Sequence, residues 1–277
     1  MRFGGPVFTD TETPESWIAS VKAKGYRAAY CPIGLDASQS QIGEYRAAAA
    51  ENDVVIAEVG AWSNPLSSVP AEAAAARRKI ISAIRLADEV GAKCCVNIAG
   101  SVGAKWDGPS AGDLTRETFD RIVEQVRSFL DEAAPEYTTY SLEPMPWMYP
   151  DSADSYLEMI EAVNHPRFAV HYDPVNLVSS PQAYFGNGEQ MSRFIDMLGD
   201  RIVAVHAKDI VLRDQLTTHL DEVVAGEGKL DYPTLLKRLD ELDTDLPVML
   251  EHLELESQYD QAAAHIRAVA QSLGIVL

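Results

Sequence analysis

Eight apolar, β-rich runs recur along this chain, and each is followed by a segment patterned as a helix. The runs are Arg2–Phe8, Arg27–Ile33, Val54–Trp62, Cys94–Ala99, Thr139–Pro146, Phe168–Asn176, Ile202–Asp209 and Pro247–Leu253. Strand followed by helix, repeated, implies a parallel sheet with helical crossovers. Such a sheet either closes or stays open and doubly wound. Eight evenly alternating units in 277 residues favour one closed (β/α)8 TIM barrel, with residues 1–277 as a single domain. The open alternative is expected to carry a glycine-rich phosphate turn after its first strand. Phe3-Gly4-Gly5-Pro6 lacks that pattern, so no nucleotide cofactor is expected.

Helix punctuation supports the same register. Thr13-Pro14-Glu15 reads as an N-cap followed by proline at the first helical position, and the helix stops at Gly25. The third helix is expected over Ala71–Val90, with Ile80, Ile84, Ala87 and Val90 on one buried face and Gly91 ending it. Further helices are expected over Arg116–Ala134, after Asp151-Ser152, over Pro181–Leu198, after Asp231-Tyr232, and over Tyr259–Leu273. Two connections are long: Gly100–Leu114, containing Trp106, and Ile210–Leu230, containing His219 and Gly226-Glu227-Gly228. Both leave the C-terminal face of the expected barrel, where they are placed to cover a site.

Composition narrows the function. The apolar fraction of 47% supports a sizeable core, and the formal charge of −19 is the reverse of a nucleic-acid footprint. Cys94 and Cys95 are adjacent on one strand and point to opposite faces, so neither is expected to pair; with Cys31 they read as thiols of a reducing cytoplasm. No apolar run reaches membrane-spanning length, and the N-terminus leads straight into the first strand, which leaves no room expected for a signal peptide.

Polar residues gather near the C-terminal ends of the last four runs: Glu143, Asp173, His206 and Glu251. Alternation puts Ser141 with Glu143, His171 with Asp173, His206 with Lys208, and Met249 with Glu251 on shared faces. A carboxylate on an interior strand face is costly unless it is paired or metal-bound. Three carboxylates and an imidazole, with open positions left over, suit a divalent ion such as Mn²⁺, with Mg²⁺, Co²⁺ or Zn²⁺ as variants.

These pieces resemble the xylose isomerase-like TIM barrel superfamily, the group of sugar phosphate isomerases and epimerases. The matching segments are Leu142-Glu143, Asp173-Pro-Val-Asn176, His206-Ala-Lys208-Asp209, Gly226-Glu227-Gly228-Lys-Leu-Asp231 and Leu250-Glu251. The resemblance is specific over Thr139–Leu253 and architectural before it. It implies that Glu143, Asp173, His206 and Glu251 bind one ion, and that Glu143 and Glu251 double as the acid/base pair. The activity expected is isomerisation or epimerisation of a keto sugar by proton abstraction beside a carbonyl, through an enediolate.

The sequence departs from many epimerases of this group at Asn176, where they carry histidine. The nearest counterpart of their arginine after the metal histidine is Arg213. The carbanion that epimerises a sugar also expels a β leaving group, so a lyase or hydratase acting on 3-oxo-glycosides stands as the alternative. A non-catalytic sugar-binding module is the alternative of another class. The superfamily's DNA endonucleases need more histidines than the six present here. Substrate contacts are expected from Glu58, Trp62, Asn97, Trp106, His171, Asn176, Lys208 and His219, and Trp147 is a further ring suited to stacking on a sugar. The expected partner is a small carbohydrate, with no nucleic acid and no membrane; a homo-oligomer is left open.

Overall fold

The structure is a computed structural model that describes residues 1–9 and 11–277. Nine short strands form one parallel sheet: β1 (Arg2–Gly4), β2 (Ala28–Ala29), β3 (Val55–Ile56), β4 (Glu58–Gly60), β5 (Cys94–Asn97), β6 (Thr139–Leu142), β7 (Phe168–Tyr172), β8 (Ile202–Ala207) and β11 (Pro247–Leu250). Their order is β3-β2-β1-β11-β8-β7-β6-β5-β4. The two edge strands are halves of the third expected run, divided only at Ala57. Ala57 N donates to Ala29 O of β2 at 2.8 Å, and Ala57 O accepts from Cys94 N of β5 at 3.3 Å. One residue therefore joins both edges, and the sheet closes as the expected barrel. Nine strands stand where eight runs were expected because that run bends at Ala57 to serve two neighbours.

The helices follow the punctuation of the sequence. Thr13 caps α1 (Pro14–Ala23) by accepting from Ser16 N, and Ser38 caps α2 (Gln39–Glu51) in the same way. In α3 (Pro70–Val90), Ile80, Ile84, Ala87 and Val90 are all buried, and Gly91 ends the helix at φ +79°, a conformation open to glycine without penalty. In α4 (Arg116–Ala133), Phe119, Ile122, Val126, Phe129 and Leu130 face the sheet; burial of each such side chain contributes about 1.5–3 kcal/mol. Ser152 caps α5 (Ala153–Val163).

Two expectations need correction. The helix expected over Pro181–Leu198 is two helices, α6 (Pro181–Phe185) and α7 (Asn187–Leu198), because Gly186 at φ −105° leaves the helical range. The long connection after β8 is not an open loop. It forms an antiparallel hairpin of β9 (Asp209–Leu212) and β10 (Leu220–Val223) before α8 (Tyr232–Asp240). The last helix, α9 (Glu256–Leu273), ends at Gly274.

Cys94, Val96 and Ala204 pack together inside the barrel, as do Ala28, Ala57 and Met249. Cys95 packs outward with the helices, so the adjacent thiols do point to opposite faces, and all three cysteines are free. Among the described residues, no helix is long and apolar enough to cross a membrane.

Candidate metal centre and cavity

β6, β7, β8 and β11 each end in a polar side chain directed to one point above the barrel interior. Glu143 follows β6, Asp173 follows β7, His206 lies within β8 and Glu251 follows β11. The first three are buried and Glu251 nearly so. One ligand atom from each lies within 4.8 Å of the others. His206 Nδ1 is 2.8 Å from Glu251 Oε1 and 3.4 Å from Glu143 Oε1.

Lys208 joins this group from the turn between β8 and β9. Its ammonium lies 2.7 Å from Asp173 Oδ2, 2.5 Å from Glu251 Oε1 and 3.5 Å from Glu143 Oε1. Asp173 Oδ2, Glu251 Oε1 and His206 Nδ1 lie at ion-pair distance of neighbours, but in orientations that complete no hydrogen bond. Three hard, buried donors that converge without hydrogen-bond partners fit a divalent ion. Glu143, Asp173, His206 and Glu251 are the residues able to hold it.

The electrostatics differ across the group. Burial raises the Glu143 carboxyl, but Lys208 and His206 outweigh it and hold it well below the usual range. Glu251 is lowered by His206 and Lys208 against the same burial penalty. For Asp173, burial and the Glu143 and Glu251 charges win over Lys208 and push it up. His206 is raised despite burial because Glu251, Glu58 and Glu143 surround it. Three carboxylates crowded at one buried point are stable only with positive charge among them.

A second buried group backs the first. Glu58, in β4, accepts from His171 Nε2 at 2.8 Å and lies 3.4 Å from His206 Nε2. The two imidazoles meet edge-on, with centroids 4.1 Å apart. Burial raises the Glu58 carboxyl, yet the His206 and His171 rings bring it down to about 2. Glu58 thus grips the face of His206 away from Glu251. His171, expected to meet substrate, is fully buried and spends Nε2 on Glu58.

The other expected substrate residues divide. Trp62, Trp106, Trp147 and Asn176 line a cavity of about 760 Å³ together with Glu58, Glu143 and Glu251. Asn176 Nδ2 donates to Glu143 Oε1 at 2.9 Å and to Pro144 O at 3.1 Å. Asn97 is outside the lining. It faces away from the barrel interior that its neighbours Cys94 and Val96 face, and its amide is spent on Ser63 N and O. His219, just before β10, is also outside the lining; from that hairpin Glu222 reaches the cavity instead.

Tyr30, Glu222 and His252 are polar lining residues that escaped the sequence reading. His252 directly follows Glu251 at φ +58°, and its Nδ1 lies 3.1 Å from Lys208 Nζ and 3.3 Å from Glu222 Oε2. Its place beside Glu251 in the Met249–Leu253 motif was the available signal. Asp209, from the same motif as His206 and Lys208, is no part of the centre. Its carboxylate accepts from the backbone N–H groups of Ile210, Gly226, Gly228 and Leu230 at 2.8–3.1 Å. A Cβ at Gly228 would sit 2.2 Å from Asp209 Oδ1, which explains the second glycine of Gly226-Glu227-Gly228.

Comparison with known proteins places the fold. The chain superposes on the probable 3-DHS dehydratase AsbF involved in petrobactin synthesis from Bacillus anthracis with TM-score 0.72 and 15% identity, covering 98% of this chain and 99% of that one. D-psicose 3-epimerase from Clostridium cellulolyticum H10, solved with D-tagatose, gives 0.70 and 15% with full coverage of both. A xylose isomerase-like TIM barrel protein from Mycobacterium smegmatis, solved in complex with magnesium, gives 0.67 and 18%, covering 95% and 90%. No curated protein matches the sequence. The family model of the xylose isomerase-like TIM barrel matches residues 18–269, nearly the whole chain, and the protein belongs to that family.

Proposed function

We propose that this protein is a divalent-metal-dependent sugar isomerase or epimerase, acting on a keto sugar or sugar derivative by removing a proton beside the carbonyl. The observation that carries the reading is the convergence of Glu143 and Glu251 on His206 and Lys208. The two carboxylates come from opposite sides of the His206 strand, β8, and both open into one cavity. An ion on Glu143, Asp173, His206 and Glu251, Mn²⁺ or a similar metal, would polarise the carbonyl and stabilise the enediolate's charge. Both glutamates are held ionised at neutral pH, the state in which a carboxylate accepts a carbon-bound proton. With one on each side of the substrate, one removes the proton and the other returns it on the opposite face. Lys208 balances the carboxylates and supplies a donor beside the developing oxyanion. The D-psicose 3-epimerase and L-ribulose 3-epimerase folds, which this chain shares, support this class.

A second reading, a lyase or hydratase acting by β-elimination on a 3-oxo-glycoside, is favoured by Asn176. Its amide binds Glu143 directly and offers no titrating group of its own. Incubation of the Mn²⁺-loaded enzyme with a keto-sugar panel in D₂O separates the outcomes. Deuterium on carbon with a changed stereocentre or carbonyl position supports the isomerase or epimerase. An unsaturated product or a released aglycone supports the lyase. Turnover with no solvent deuterium, and label transferred within the substrate, overturns the proton-abstraction reading.

A further inference from the structure

The substrate class is open to a sharper reading, which rests on the assignment of Glu143, Asp173, His206 and Glu251 as the reacting end of the cavity. The chain has four tryptophans, and three of them, Trp62, Trp106 and Trp147, line this one cavity. The fourth, Trp17, is buried in the core. Trp62 and Trp106 are 36% and 37% exposed. The apolar wall continues through Ile33, Leu35 and Met145. Two of these rings, Trp147 and Trp62, are held in place. Trp147 Nε1 donates to Asp107 O at 3.1 Å, and the Trp62 indole folds back against β4 so closely that a Cβ at Gly60 would lie 2.2 Å from its Nε1.

The charges tell the complementary half. Glu58, Asp107, Glu143, Glu222 and Glu251 line the cavity; among the described residues no lysine or arginine is part of its lining, and Lys208, which adjoins it behind Glu143 and Glu251, is already neutralised by Asp173 and Glu251 at 2.7 and 2.5 Å. Lys79 is engaged with Trp62 O at 3.0 Å, and Lys105, the chain neighbour of Trp106, pairs with Asp107 at 3.2 Å. A sugar phosphate is recognised through arginine, lysine or a helix N-terminus, and here its charge would face carboxylates. The volume, about 760 Å³, suits a drug-sized molecule rather than one sugar ring.

We propose that the ligand is an uncharged glycoside with two parts: an oxidised, polyhydroxylated sugar at the carboxylate end and a flat, apolar aglycone against Trp62 and Trp106. Aromatic faces gain from offset stacking on such a group as well as from its burial.

The test is calorimetric binding to the full, Mn²⁺-loaded chain with four probes: phenyl β-D-glucoside, methyl β-D-glucoside, glucose and glucose 6-phosphate. The phenyl glucoside is expected to bind about tenfold or more tighter than the methyl glucoside. Glucose 6-phosphate is expected to bind no tighter than glucose. Trp62→Ala and Trp106→Ala, both at half-exposed positions outside the core, are expected to bring the phenyl-to-methyl ratio down to about threefold or less. Equal or undetectable binding of the two glucosides, tighter binding of glucose 6-phosphate, or a ratio unchanged in both variants would overturn the proposal. The ratio needs no turnover. It can fail while solvent deuterium still enters a substrate, and it can hold if the proton-abstraction chemistry fails.

Discussion

The Glu58 carboxylate lies 3.4 Å from Nε2 of His206, the ring whose other nitrogen, Nδ1, faces Glu251 at 2.8 Å. Glu58 was expected to touch substrate, and it does border the cavity, but its oxygens are committed to His206 and His171. A carboxylate on the far nitrogen fixes the tautomer and angle of a metal-binding imidazole. Glu58→Gln is therefore expected to weaken Mn²⁺ binding by about 10–100-fold while leaving the far-ultraviolet circular dichroism unchanged. Equilibrium dialysis reads this directly, and unaltered affinity would remove Glu58 from a positioning role.

Glu143→Gln and Glu251→Gln keep side-chain shape and remove a base. Each is expected to lower kcat by about 10²–10⁴-fold. Both residues are also proposed ligands, so metal content must be measured on the same samples. Wild-type turnover in either variant at full occupancy takes that residue out of the acid/base pair.

Asn176→Asp places a second carboxylate where the amide now donates to Glu143 at 2.9 Å. Like charges at that distance disfavour ionisation, so the Glu143 carboxyl is expected to rise. The acid limb of the kcat/KM profile should then move to higher pH by about one unit or more. A limb that stays in place would mean that Glu143 does not control it.

Asp209→Ala removes the acceptor of four backbone N–H groups and leaves them in a buried turn. The expected loss is about 3 kcal/mol or more, read from urea unfolding. A loss under about 1 kcal/mol would show that water replaces the carboxylate without strain.

Asp88 fixes the α4–β6 connection to α3 by accepting from Glu136, Tyr137 and Thr138 N at 3.1, 2.6 and 2.8 Å. Burial raises its carboxyl, but those donors and Arg167 bring it below the ordinary 3.8. A carboxyl lowered in the folded state stabilises fully above its unfolded pKa, and that contribution is lost as pH falls through the folded one. Below pH 3.8 wild type should therefore lose melting temperature faster than Asp88→Asn, and parallel curves would refute the linkage.

The places where sequence and structure part company share one cause. Asn97 sits at the end of its strand, where a substrate contact is plausible by position, yet the pleat turns it outward to Ser63. Had the inward face of Cys94 and Val96 been applied one residue further, the alternation itself would have excluded Asn97 from the interior. His219 was legible only as a histidine in a long connection. Which hairpin residue reaches the cavity depends on the β9–β10 register, and pairing Leu220 with Leu212 brings Glu222 inward.

What the amino-acid order alone determined was local and periodic: the β-rich runs, the caps at Thr13 and Ser152, the glycine stops at Gly91 and Gly274, and the acidic or imidazole ends of the last four runs. Alternation and capping act over a few residues, so they are written where they act. The tertiary structure alone decided how those ends are shared. That Ala57 bridges both sheet edges, that Glu58 reaches across 148 positions to His206, and that Lys208 settles between Asp173 and Glu251 all follow from barrel closure. Closure brings distant residues to one depth, and burial there forces each charge to find its partner across the barrel rather than along the chain.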